Sequence, residues 1–439
     1  MPTIAVGNST VLTATENWSD GTTGHAPTSA VTWSSDTTAD ANVIANSAAT
    51  ALAAGFAAGS PNITATEGTL TATIPITVVV GTAHYAYVSN SISSGSNPYS
   101  IGEYTVTAVT APYLAALGTA QTPGYSPSQT VLDPNGQYLY LLAGSSDMSA
   151  TLFNVNTSTG ALTQASGTPT TISAGADVVY GVIDPYGRFL YVAEYNGNAV
   201  YAFQINPTTG ALTAVTGSPF TTNVSGPISL IADHSGQYLY VVNISGADIS
   251  GYTIDQTLTA TGGALTPFTS QATIATGTSP SYSTLDPTGT YIYVPDSGAN
   301  TVTTYSIGSG GALTNKGATT VVAGATALWN VAADPSGKYL YVLDQGDTIT
   351  INGSVYQFNL TSGIPGTAPV GSSVSTGGLS PYGIVVDPTT SLLAVENQGD
   401  SINPSTIALF SIGSTGALTA QSPVPTGVGP FFVTFYDAP

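Results

Sequence analysis

About every 50 residues this chain repeats a turn of the form Asp-Pro-x-Gly followed by a short aromatic or aliphatic strand, and no other property of the sequence restricts its fold as much. The turns start at Asp133, Asp184, Asp233, Asp286, Asp334 and Asp387, with a cut-short form at Asp437. The strands that follow read YLYLL, FLYV, YLYVV, YIYV, YLYV and LLAV. Each is followed by a second alternating strand, such as AVYAFQI at 199–205, which in most copies ends at TGALT or GGALT. Asp accepts hydrogen bonds from N–H groups two residues on, Pro pre-sets φ and Gly supplies the positive φ that reverses the chain. Tyr, Val, Leu, Ile and Thr suit a pleated, half-buried surface. Four short strands in such a period predict one blade of a β-propeller, repeated seven times.

HYAYVSN at 84–90 has no such turn before it, and FFVTFYDAP at 431–439 has no aromatic strand after it. The two half-blades are expected to complete one another, with Phe432, Val433 and Phe435 closing the ring so that no edge is left open. The fold class predicted is all-β, with a propeller over 81–439 and a separate β-sandwich over 1–80.

Composition excludes several functions. The chain has 3 Lys+Arg against 23 Asp+Glu, a net charge of −20. That balance repels nucleic acid and anionic membranes, which are bound through clusters of basic residues. Only 6% of residues are charged, against about 25% in ordinary soluble proteins. Such a surface has few ion pairs to lose on acidification and few sites for trypsin-like proteases, which suits an extracellular or cell-surface protein of bacterial type. With no cysteine, disulfides and thiol chemistry are excluded. The longest apolar stretch, near 74–81, is far short of the roughly 20 residues of a membrane helix. No signal peptide is visible after Met1, so the expectation is a mature form without its export signal. Eight Asn-x-Ser/Thr sequons, such as those at Asn62 and Asn243, could carry glycans.

Residues 1–80 read as short alternating strands and resemble the bacterial Ig-like group 2 family. IAVGNSTVLTAT at 4–15, SDGTT at 19–23, VTWSS at 31–35 and ITATEG at 63–68 carry the resemblance. It implies a small sandwich used as a spacer or adhesive module. Members of that family usually have a strand before the one matched here, which would leave Thr3, Ile4, Ala5 and Val6 as an edge for strand addition from another copy.

Residues 84–439 resemble the lactonase-like seven-bladed propellers and the related YVTN-repeat surface proteins, through segments such as DPYGRFLYVAEYNGNAVYAFQINPTTGALT at 184–213. The resemblance implies an active site of His, Glu and Arg on one mouth of the channel. Here Ser281 and Tyr282 stand where a histidine is common, and Asn300-Thr301 where the enzymes tend to have Asp-Arg. Arg188, the only arginine, lies in a turn. A polar position does recur after the aromatic strands at Glu194, Asn243, Asp296, Asp344 and Asn397, with a second set at Asp147, Asn198, Asp248, Asn300, Asp347 and Asp400. These residues either ring a mouth, with room for a ligand or Ca²⁺, or cap hairpin turns. No other cofactor is implied.

The missing cations, the low charge and the open edge together predict a non-enzymatic structural protein, a surface-layer, adhesive or filament subunit that associates with itself and engages a glycan or surface partner. The alternative is a secreted lactonase-like or sugar-binding propeller with an acidic pocket.

Overall fold

The computed structural model describes the chain apart from residues 1, 7, 18–21, 80–82, 92–98, 108–112, 145–147, 168, 173–176, 223–224, 258, 320–324, 347–351, 389–391, 400–403 and 439. Among the described residues the periodic region forms seven antiparallel sheets of four or five strands. The second to seventh sheets each begin with an inner strand, Pro127–Leu132, Val178–Ile183, Pro227–Ala232, Thr284–Leu285, Leu328–Ala333 and Pro381–Val386 in turn. The first sheet joins the two ends of the region, because Pro430–Ala438 runs antiparallel to Ala83–Asn90. Val433 pairs there with Val88 and Phe435 with Ala86.

The Asp turns separate inner from second strands. Asp233 accepts from the N–H of Ser235 at 2.9 Å and of Tyr238 at 2.7 Å; Asp286 does the same with Thr288 and Tyr291. One carboxylate thus holds both the turn and the first residue of the next strand. Asp437 is a correction to the expected pattern. It pairs with His84 inside a strand, and Ala438 rather than a glycine follows it.

The aromatic strands join neighbouring blades. The second tyrosine of each YLY-type run donates its hydroxyl to the carbonyl of the glycine in the next blade's TGALT-type turn. The pairs are Tyr87–Gly160, Tyr140–Gly210, Tyr191–Gly263, Tyr240–Gly311, Tyr293–Gly363 and Tyr341–Gly416, at 2.7 to 3.0 Å. The aromatic two residues earlier lies against the same glycine, so that a Cβ at Gly210 would sit 2.6 Å from Tyr138 and one at Gly416 2.5 Å from Tyr339. These glycines also hold positive φ, 68° at Gly210. Glycine is therefore required twice over, by the turn and by the neighbouring ring. In the seventh blade the tyrosine position is Ala394, and the latch is missing.

Residues 3–79 form two three-stranded antiparallel sheets and a two-stranded parallel pair around one apolar core that includes Leu12, Val43, Ala53 and Ile63. Thr3–Ala5 is paired on one side with Thr77–Val79, and the Val6 N–H donates to Val79. This unit touches the propeller at the Asp-turn face. The Ser9 N–H donates to Asn135 at 3.0 Å, and the Phe56 ring stacks on His234 at 4.0 Å. His234 occupies the place of the turn proline, so that departure from the repeat has a packing reason. Burial in this stack pushes the His234 imidazole down to about 4.

Tyr140→Phe is expected to cost about 1–3 kcal/mol, the penalty for an unpaired buried acceptor. Gly210→Ala should cost more, because ring and backbone both oppose it. Urea unfolding at one pH measures both, and a neutral Gly210→Ala would contradict the latch.

Candidate active site at the propeller mouth

Inner strands enter the propeller at the face opposite the Asp turns, and the register slips there in six blades, as between Pro127 and Gln129 or Pro430 and Val433. Such bulges re-aim side chains. At this end aromatic rings from five blades meet, four of them from bulged blades. Tyr282 lies 5.5 Å from Tyr180, 5.8 Å from Trp329, 5.4 Å from Tyr382 and 5.6 Å from Phe432, centroid to centroid. Phe431 packs on Tyr382 at 4.3 Å. Phe432 therefore joins this plug, while Val433 and Phe435 lie in the strand pairing.

Beside the plug is a cup of about 280 Å³ whose wall includes Asp177, Tyr282, Tyr382, Phe431 and Ser128. The two tyrosine hydroxyls meet at 2.7 Å. Burial raises both phenols, Tyr382 to about 12, and the Asp177 charge adds to the rise in each. Both thus remain hydroxyl donors throughout the neutral range. Arg188 is bound to Asp184 at 2.8 Å at the opposite, Asp-turn face, where Lys338 and His234 also belong to turns. His84 starts a strand at that same end, His25 lies in the N-terminal unit, and Lys316 is on an outer strand. No arginine, lysine or histidine enters the cup.

The recurrent acid and amide residues have a different role. Glu194 accepts from the N–H of Asp177 at 3.4 Å and of Gly197 at 2.6 Å. Asp344 accepts from the N–H of Ala327 at 2.9 Å. Asn397 donates to the Thr376 carbonyl at 3.1 Å, and Asp296 accepts from the Thr303 hydroxyl at 2.6 Å. Asn243 bonds Asp248 and Ser250 in its own hairpin. Asn198 reaches the Gly226 N–H and Asn300 the Ala325 carbonyl. Most of these heads therefore hold segments that lead into inner strands, instead of converging on a calcium site. Among the described residues no group of three or more His, Asp or Glu side chains could hold a metal ion. Asp147, Asp347 and Asp400 lie outside the described residues. Glu194 does bear on the cup indirectly, since it fixes the backbone of Asp177.

One buried acid escaped the sequence pattern. Glu396 sits beneath the mouth and accepts from the Val433 N–H at 2.6 Å, bridging the seventh blade to the first where the tyrosine latch is missing. Gly383 leaves room for it, since a Cβ there would meet the carboxyl at 2.2 Å. Burial pushes the Glu396 carboxyl up to about 8, and Asp296 up to about 6.

The sequence model of the family described as "Lactonase, 7-bladed beta-propeller" matches residues 168–343 and 258–435. No curated protein matches the chain. Among solved structures, the periplasmic gluconolactonase of Pseudomonas aeruginosa is 19% identical with a TM-score of 0.67, covering 81% of this chain and all (100%) of that one. A candidate 6-phosphogluconolactonase of Bacteroides fragilis is 19% identical with a TM-score of 0.65, covering 81% and 98%. A protein from Lactobacillus plantarum is 18% identical with a TM-score of 0.65, covering 81% and 100%. At these identities the structures share the fold. The family match overturns the expectation of a non-enzymatic surface-layer, adhesive or filament subunit, which rested on the missing cations, the low charge and the open edge.

Glu396 keeps its proton in the folded state while the unfolded chain releases it near the ordinary value of 4.5. Its contribution is complete below that value and is lost as pH rises toward 8. The melting temperature should therefore fall between pH 5 and 8, and Glu396→Gln should flatten the fall. An equal slope in the two proteins would contradict this.

Proposed function

The chain belongs to the seven-bladed β-propeller lactonases, and from that premise we propose that it opens an uncharged sugar lactone in the cup of Asp177, Tyr282 and Tyr382. The observation that carries the proposal is the paired, protonated phenols facing one carboxylate in a cup without cations. A phosphate or carboxylate on the substrate would be bound through Arg or Lys, and neither is present. Sugar C–H faces suit the Phe431 ring, while Ser128 offers a hydroxyl.

In the proposed reaction, a water oxygen bonds to the lactone carbonyl carbon as its proton passes to Asp177. Negative charge on the carbonyl oxygen is met by the hydroxyl of the tyrosine pair whose proton is not spent on its partner, a donor held in place before the reaction. The ring C–O bond then breaks and the leaving alkoxide takes the proton, yielding the open hydroxy acid. The product is an anion in a strongly acidic protein, so repulsion favours its release.

The N-terminal unit belongs to the same proposal as an Ig-like spacer on an exported enzyme. Its two sheets around one core support this, as does the low surface charge. Among the described residues no helix is long and apolar enough to cross a membrane.

Glucono-1,5-lactone should be opened well above its spontaneous rate and its 6-phosphate at least about tenfold more slowly. Asp177→Asn should lower kcat by about 10²-fold or more, and Tyr382→Phe by about 10²-fold. Turnover no faster than in buffer, or unchanged in Asp177→Asn, would sink the proposal.

A further inference from the structure

A second concave site lies at the opposite face from the cup. A cleft of about 650 Å³ lies between the N-terminal unit and the Asp-turn face of the second and third blades. That volume falls within the roughly 300–1,000 Å³ of small-molecule sites. One wall comes from Thr3–Ala5, the start of the next strand and Leu52, the other from Tyr138, Phe189 and Gln204. The Ser9–Asn135 bonds and the Phe56–His234 stack hold the walls together.

Two properties of the lining define what it accepts. First, its charges are already used. Arg188 is bound to Asp184 and Gln256, and Asp133 accepts the N–H groups of its own turn. Second, amides are left over. Among the described residues the side chains of Asn8, Asn46 and Gln137 make no protein hydrogen bond. Asn8, only 8% exposed, is one of the residues that line the cleft. A side-chain amide both donates and accepts, which matches vicinal hydroxyl pairs, and the exposed Val11 side chain offers apolar surface to C–H faces.

We propose that this cleft binds a short uncharged oligosaccharide, and that the N-terminal unit exists in part to form it. An anion or cation would find no unpaired partner charge in the lining. The inference is independent of the lactone reaction, which belongs to the other face, so either can fail alone.

Isothermal titration of the full chain with neutral gluco-, xylo-, manno- and chito-oligosaccharides of three to six units tests it. At least one series should bind, with affinity reduced tenfold or more in the double variant Asn46→Ala/Gln137→Ala. Val11→Trp, which fills the cleft from an exposed strand position, should abolish binding without lowering the melting temperature. Tyr382→Phe should leave binding intact. Failure of every series to bind, or binding indifferent to both cleft changes, would overturn the proposal.

Discussion

The hydrogen bond from a blade's tyrosine to a glycine carbonyl in the next blade is the interaction on which the propeller depends. Each blade is a small sheet that could not bury both faces alone. The six latches fix the rotation between neighbours, and by placing an aromatic ring on each glycine they exclude water from the blade interface. Because every latch joins consecutive blades in the same sense, a small error at one would be carried around the ring. The mouth is positioned through this chain of contacts, since the inner strands that deliver Tyr180, Tyr282, Trp329 and Tyr382 start from blades whose angles are already set.

The junction between seventh and first blades uses other means. Ala394 stands in the tyrosine position, and the junction is carried instead by the pairing of Pro430–Ala438 with Ala83–Asn90 and by Glu396 on the Val433 N–H. A carboxyl in this place keeps its proton into the neutral range, so the ring is held best under mildly acidic conditions. The low surface charge tends the same way, because few exposed ion pairs are lost on acidification. Closure and acid tolerance thus share one residue.

Much of the fold was legible because repeats advertise themselves. The Asp turns, the YLY strands and the TGALT glycines were all visible at fixed spacing. Their partnership was not, since nothing in one sequence says that Tyr140 meets Gly210 and not its own blade's Gly160. The site was less legible for a related reason. Glu194, Asp296 and Asp344 recur in phase, but the recurrence marks hydrogen bonds that hold hairpins and the segments leading into inner strands. The cup is built from what does not repeat. Tyr282, Tyr382 and Phe431 enter at or just before the starts of inner strands, where another blade has Ile228. Aromatics out of keeping with the period were the available signal, together with the lone acid Asp177 just ahead of its inner strand.

The absence of an arginine clamp had argued against catalysis, and the family match changes what that absence means. Under the proposed function, that absence excludes charged substrates and leaves the cup to a neutral one. The most direct test of this account is a crystal structure with the non-hydrolysable lactam analogue of an uncharged sugar lactone. The account predicts the analogue in the cup, its carbonyl oxygen within hydrogen-bond reach of the Tyr282–Tyr382 pair and Asp177 beside the carbonyl carbon. An analogue bound elsewhere on the propeller, or with its carbonyl turned away from both phenols, would contradict it.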